Sequence, residues 1–418
     1  MAELKTYSIS GGVNLHTFIE DDFKTMRVSV NMFVPLLNET AAANAILPSL
    51  ISRATREYPD YTKLGERLSE LYGASLDSRV SKLGAFQIIT VSAEGIADKY
   101  AFGGEDMLKM LSDMLFSILF TPLTDKNGLL PEDGFELEKR QILEIFDSEF
   151  NDKIHYARRR AGEILFGDAP EGINRYGAKE DVQKLSCEEV SAQLKNLLSE
   201  AKYEIFVTGA CNPDIAYFEK TFAGMGKNLS LKRKAYTAGD VKEVTEEMQL
   251  SQSKLVMGYR TNIKPEEKLA YTMMAVVLGG TPSSKFFANV REKMGLCYYC
   301  SAGFESVNAV LAIESGIETE NIEKTKKAVF AQMEDMKKGN ITEDEIMSAK
   351  LAVCNSYKSV TDSLGAIENW YLMRTFEENA DTPQKAAEKI MAITKEDIVK
   401  AANSFHLDTV YVLKGVNE

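Results

Sequence analysis

The sequence predicts an α+β protein of two tandem homologous halves, each a mostly antiparallel sheet with helices packed on one face. Three observations predict it. Alternating apolar runs of strand length take turns with segments of helical apolar spacing along the chain. Leu68-Ser-Glu-Leu-Tyr-Gly73, followed by strand-like runs, is matched by Val290-Arg-Glu-Lys-Met-Gly295, also followed by strand-like runs. Ser186-Cys-Glu-Glu-Val190, a helix and a strand at Tyr203 to Gly209 are matched by Thr394-Lys-Glu-Asp-Ile398, a helix and a strand at Thr409 to Gly415. Both anchors recur in the same order, so an internal duplication is expected. It divides the chain into residues 1–225, a linker at 226–249 and residues 250–418.

The elements follow in order. In Thr25 to Val34, Met26, Val28, Val30, Met32 and Val34 alternate with Arg27, Ser29 and Asn31, the pattern of a half-buried strand. Thr40 to Arg56 has helical spacing, and a second helix runs from Asp60 to Tyr72-Gly73. Ser75 to Ser92 reads as a hairpin turning at Lys82-Leu83-Gly84. Met107 to Phe120 is a core-facing amphipathic helix. Its Glu105, Asp106, Lys109 and Asp113 exclude a membrane span, and no other window is long and apolar enough. Phe135 to Leu165 is charged but periodic, one long or broken helix. Ser186-Cys-Glu-Glu189 has capping-box form. Residues from Gly224 to Glu247 are polar and read as linker. Lys254 to Arg260 is a strand, Pro265 to Leu278 a helix, and Val310 to Ile317 a strand.

The chemistry-bearing stretch is Ser283 to Ala302. Phe286, Phe287, Val290 and Met294 share a helix face, and Gly295 suits the helix end because it takes positive φ without strain. Leu296 to Ala302 is then a buried strand. The turn brings Arg291 near Tyr298, a pair suited to gripping a peptide backbone or carboxylate. Arg291 could equally complement the helix dipole, and Tyr298 could be core. Cys297 and Cys300 form a C-x-x-C. On a regular strand residues three apart face opposite sides, which argues against a shared redox or metal role.

Arg291 followed by Gly295-Leu-Cys-Tyr298 resembles the C-terminal signature of the pitrilysin/insulinase-like zinc peptidases, of mitochondrial processing peptidase type. The resemblance implies two duplicated halves folded as a clam around a chamber, over about Gly11 to Gly415. It also implies that Arg291 and Tyr298 hold substrate. Active members carry an inverted His-x-x-Glu-His motif on the first helix, with two imidazoles one turn apart for one metal and a glutamate base between them. Here those positions fall on Ala45, Pro48 and Ser49, and the third ligand falls near Glu144 or Ile145. The only three histidines, His16, His155 and His406, lie far apart in sequence. No catalytic residue and no metal ligand are therefore expected in this chain.

Composition narrows the classes further. A net charge of -13 over 418 residues argues against nucleic acid. Five scattered cysteines and an N-terminus without the form of a signal peptide suggest reduced thiols in the cytoplasm. The charge runs Glu136 to Arg140 and Arg158 to Arg160 read as solvated faces. The expected function is that of a non-catalytic, substrate-binding subunit of a heterodimeric zinc endopeptidase that processes peptides. It would pair with a His-x-x-Glu-His subunit that carries the zinc. The alternative is a peptide- or partner-binding scaffold of the same fold without a part in cleavage. A serine or cysteine hydrolase is the weakest reading, since no nucleophile has a paired histidine in the sequence.

Overall fold

The structure, a computed structural model, describes residues 3–230, 235–377 and 380–416. Its strands are β1 (Lys5–Ser10), β2 (Val13–Ile19), β3 (Thr25–Pro35), β4 (Ser75–Leu83), β5 (Phe86–Ile96) and β6 (Lys202–Gly209) in the first sheet. The second sheet holds β7 (Lys242–Gln249), β8 (Ser253–Arg260), β9 (Cys297–Glu305), β10 (Val310–Ile317) and β11 (His406–Val416). The first sheet runs β1-β2-β6-β3-β5-β4 and the second β7-β11-β8-β10-β9. Without β1 the two orders superpose strand for strand, and the one parallel pair, β2/β6 or β7/β11, takes the same place in each. The fold is thus α+β with two related, mostly antiparallel sheets. β7 occupies Lys242–Gln249, inside the stretch expected as linker.

Local chemistry accounts for the helix ends. The Asp106 carboxylate caps the helix Met107–Phe120 through the Lys109 amide at 2.9 Å. Ser186 and Glu189 form the expected capping box of the helix Cys187–Glu200, and Thr394 and Asp397 its counterpart in the second half. The charged run after Phe135 is broken at Asp152. Its carboxylate accepts from the Ile154 and His155 amides and so starts a new helix, Lys153–Phe166. Among the described residues, no helix is long and apolar enough to cross a membrane.

Two compact units emerge, and they do not follow the chain's midpoint. The first comprises Met1–Asp147, Ile173–Leu231 and Ser363–Glu378; the second comprises Ser148–Gly172, Lys232–Asp362 and Asn379–Glu418. Each unit therefore takes one helix from the other half of the sequence.

In the first unit the inner face of β3 (Met26, Val28, Val30, Met32) packs on helices such as Met107–Phe120. The opposite face carries Arg27, Ser29 and Asn31, and the helix Leu364–Leu372 lies over it. Glu368 of that helix is fully buried. Its carboxylate accepts from Arg27 Nε at 2.6 Å and from Asn31 Nδ2 at 3.3 Å. β3 is thus buried on both faces, where alternation alone indicated one.

In the second unit the helix Lys153–Phe166 lies over β8 and β11, burying Ala157 and Ala161 against Val256, Tyr411 and Leu413. Leu165 meets Gly258, where a Cβ would lie 2.9 Å from its methyl. Arg158 is exposed and Arg159 and Arg160 are half-buried, and all three are ion-paired. Arg158 grips Glu314 of β10 through two bonds of 2.5 and 2.6 Å. Arg160 holds Glu246 of β7 at 2.6 and 3.0 Å, and Arg159 pairs with Glu163.

The Arg27–Glu368 pair gives a direct test. A buried guanidinium whose carboxylate is removed is left uncompensated, which costs about 3–5 kcal/mol. Glu368→Ala is expected to lower the unfolding free energy measured by urea titration by that much. Arg27→Met with Glu368→Leu is expected to recover most of the loss, because both charges are then gone.

Candidate functional site

The helix Asn38–Ile51 follows β3, where the metal-bearing helix of an active zinc peptidase would stand. Ala45 and Pro48 on it are buried and Ser49 is half-buried. A methyl group, a pyrrolidine ring and one hydroxyl do not fit zinc, which takes imidazole, thiolate or carboxylate donors. Beside them Asn44 is fully buried in a closed amide network. It donates to Gln87 Oε1 at 3.0 Å and accepts from Gln193 Nε2 at 2.9 Å, while Gln87 donates to the carbonyls of Ala41 and Arg175. Glu144 and Ile145 are exposed on the helix Glu132–Asn151. The buried carboxylate of that helix is Glu138, held by Arg53 at 3.0 Å. Among the described residues, no group of three or more His, Cys, Asp or Glu side chains is placed to hold a metal.

The three histidines stay apart in their bonding. His155 is exposed and bonded to Asp152 at 2.7 Å, and His406 is exposed at the start of β11. His16 on β2 is buried and stacks on Phe206, with ring centroids 4.5 Å apart. Its Nε2 meets Glu204 at 2.5 Å and its Nδ1 meets the Thr6 hydroxyl at 2.8 Å. Lys202 also pairs with Glu204. Burial first, and then the Lys202 ammonium, push the His16 imidazole down to about 3, and burial lowers Lys202 to about 8. The ring is therefore neutral near pH 7, in the tautomer whose Nε2–H donates a hydrogen bond to the Glu204 carboxylate. Sequence reasoning missed this cluster because its members lie on strands 188 residues apart.

Arg291 and Tyr298 come together around Gly295. The helix Phe286–Lys293 is of the wide π type, closed by bonds such as Met294 N–H to Asn289 C=O at 3.0 Å. Gly295 then takes φ 61°, the left-handed conformation expected of it, and the chain enters β9. The Arg291 guanidinium lies 4.6 Å from the Phe287 ring and 5.9 Å from the Tyr298 ring. These cation–π contacts hold the fork while leaving its donors open on the Tyr298 side; Glu292 lies 3.5 Å from its Nε. Tyr298 itself is 73% exposed and is no core residue.

The register of β9 explains that exposure. Cys297 pairs with Ile317 and Tyr299 with Gly316, so Tyr298 is an extra residue bulged out of the ladder. Cys300 pairs with Ser315. Ser315 and Ile317 share a face of β10, so Cys297 and Cys300 also share one face. The opposite-face argument for the C-x-x-C therefore fails, because it assumed an unbroken strand.

Comparisons with known proteins bear on the family and the fold. The family described as "Peptidase M16 inactive domain" matches residues 184–353. A protein of Bacillus subtilis (strain 168) named probable inactive metalloprotease YmfF is 27% identical over 419 residues, covering 99% of this chain and 98% of the relative. A crystal structure of a conserved protein from Enterococcus faecalis V583 is similar at TM-score 0.92 and 28% identity, over 99% of both chains. A peptidase M16 inactive domain from Pseudomonas fluorescens shares the fold at TM-score 0.80 and 16% identity, over 99% of this chain and 98% of that one.

Two measurements test the site. Elemental analysis of the dialysed chain is expected to find no stoichiometric zinc. The acid limb of the stability curve is expected to carry the signature of His16. Its folded pKa of about 3 lies below the ordinary 6.5, so the unfolded chain takes up the proton first and stability falls as pH drops between those values. His16→Gln, which keeps a side-chain hydrogen bond but does not titrate, is expected to flatten the denaturant-midpoint profile in that window.

Proposed function

The chain belongs to the M16, pitrilysin/insulinase-like, peptidase family as an inactive homologue, and from that premise we propose that it is the non-catalytic, substrate-binding subunit of a two-chain zinc endopeptidase. The observation that carries the reading is a split. The positions for metal ligands hold Ala45, Pro48 and Ser49, while Arg291 and Tyr298 are intact, adjacent and accessible. The relative named a probable inactive metalloprotease supports a non-catalytic role.

In this reading a second polypeptide with His-x-x-Glu-His supplies the metal chemistry. This chain supplies binding and orientation. The planar Arg291 fork takes a peptide carbonyl or a terminal carboxylate through paired N–H donors. The Tyr298 hydroxyl donates a hydrogen bond to the peptide, or to the oxygen that gains charge at the scissile carbonyl. Both groups act through hydrogen bonds alone, so positioning is the whole of the contribution. We read the two sheets as copies of one ancestral unit, divided near residues 226–249, with the grip kept in the second copy.

The test is reconstitution. The isolated chain is expected to cleave no peptide. Mixed with its zinc-bearing partner it should restore cleavage, and Arg291→Ala or Tyr298→Phe should lower kcat/KM by roughly 10- to 100-fold, the scale of a lost charge-assisted or oxyanion hydrogen bond. A complex that forms tightly and cleaves equally well with both substitutions would favour a scaffold role instead.

A further inference from the structure

The Cys297–Cys300 pair is the motif that the proposed function leaves unused. The bulge at Tyr298 removes one residue from the ladder, so the two cysteines stand as successive same-face positions. Two strand rises of ~3.3 Å separate such positions by about 6.6 Å. That is the upper end of the Cα separations of about 4.4–6.8 Å that disulfides span, and the kink of the bulge is what tilts the two side chains toward each other. Both side chains pack into the same apolar core, Cys300 within it and Cys297 at its border, and the Ser315 hydroxyl opposite Cys300 donates to the Tyr299 carbonyl at 2.8 Å. Cys300 is buried and Cys297 is half-buried, so the pair has an outer and an inner member. The other cysteines lack this arrangement: Cys187 and Cys354 are buried with their thiols on the carbonyls of Leu130 and Ala387, and Cys211 bonds its neighbour's carbonyl at Gly209.

We propose that Cys297 and Cys300 are a redox dithiol, in which a hydroperoxide oxidises Cys297 and Cys300 closes on it to form a disulfide across the Tyr298 bulge. The steps balance with hydrogen peroxide as oxidant. The Cys297 thiolate attacks a peroxide oxygen; an S–O bond forms, the O–O bond breaks, and the departing hydroxide takes a proton to become water. The Cys300 sulfur then attacks the Cys297 sulfur; an S–S bond forms, the S–O bond breaks, and the hydroxide leaves as water with the Cys300 proton. Two electrons pass from the two sulfurs to the peroxide.

The surroundings favour Cys297 as the attacking member. The Cys300 hydrogen bond first, then Ser315 and the Arg291 guanidinium, outweigh burial and draw its thiol down to about 7. Cys300 is held well above the ordinary range by its bond to Cys297 and by burial, so it stays protonated as the resolving thiol. Burial raises Cys187 to about 11 and Cys211 to about 12, which leaves them inert beside it. Closing the bridge also fixes the bulge that presents Tyr298 and removes the anion near Arg291. That regulatory consequence rests on the substrate-grip reading; the dithiol chemistry does not.

The experiment uses the full reduced chain alone, so its outcome is independent of any partner or cleavage assay. After treatment with hydrogen peroxide the chain is expected to lose two of its five free thiols, and the peptide bearing both Cys297 and Cys300 should be lighter by two hydrogens. Dithiothreitol should reverse both changes. Cys300→Ser should stop at a sulfenic acid on Cys297 that dimedone traps, and Cys297→Ser should leave Cys300 unreacted under the same dose. Arg291→Ala should slow the thiol loss. A wild-type chain that ends as trapped sulfenic acid without the bridge, or that loses Cys187, Cys211 or Cys354 first, overturns the proposal.

Discussion

A charge leaves water only when another charge or dipole meets it, and that constraint organises both sheets of this protein. Each sheet has one apolar face for ordinary helix packing and one face that carries polar or charged groups. On the first sheet Arg27 and Asn31 need Glu368; on the second Glu246 and Glu314 need Arg160 and Arg158. In both cases the partner arrives on a helix from the other half of the sequence. The Glu246 carboxylate shows the balance: burial alone would raise it, yet the bonds from Arg160 and Tyr411 hold it below the ordinary range. These bonds also fix register. Apolar contact between Ala157, Ala161 and the sheet would tolerate sliding, whereas a two-bond guanidinium–carboxylate contact does not.

The exchange has a consequence for the chain as a whole. A fragment ending near residue 225 would retain the core made by Met26, Val28, Val30 and Met32, but would leave Arg27 and Asn31 without their buried carboxylate. A fragment starting near residue 250 would lack the helix Lys153–Phe166 over Val256 and Leu413, as well as β7 beside β11. The two sheets share one strand order, but each is completed by a segment from the other half of the chain.

Local patterns in the sequence carried most of this architecture. The helix Met107–Phe120, the strand Val310–Ile317, the hairpin at Gly84, the capping boxes at Ser186 and Thr394 and the turn at Gly295 follow from periodicity, caps and positive φ, which act within a few residues. Failures came where distant segments decide. β7 looked like linker because its Glu243, Glu246 and Glu247 read as solvent-facing, yet Glu246 is bound by arginine from residue 160. The strand β3 looked half-buried because nothing near Arg27 in the chain announces Glu368. The ion pairs of Arg158 and Arg160 were invisible for the same reason. Their carboxylates, Glu314 and Glu246, lie 156 and 86 residues away. At the candidate site, the Arg291–Tyr298 proximity was readable from one turn. The phase of the strand after that turn was not.

That phase decides what the site can do. In an unbroken β9, Tyr298 and Cys300 would point the same way, into the core that buries Cys300, and Cys297 would point away from both. One extra residue reverses this: the phenol reaches solvent, and the two thiols meet. A second irregularity, the wide turn of the helix that carries Arg291, lies on the other side of Gly295. Neither is needed for an arginine that merely offsets a helix dipole, since a regular helix end provides that geometry. Neither is needed for a tyrosine that fills a core, since a regular strand would bury it more completely. Two departures from regular backbone, placed on either side of one glycine and jointly delivering a guanidinium and an exposed phenol to the same spot, are the expected form of a site built to hold something. They are present in a chain that holds Ala45, Pro48 and Ser49 where metal ligands would stand, which is why our proposal attaches the function of this chain to the grip rather than to the scaffold.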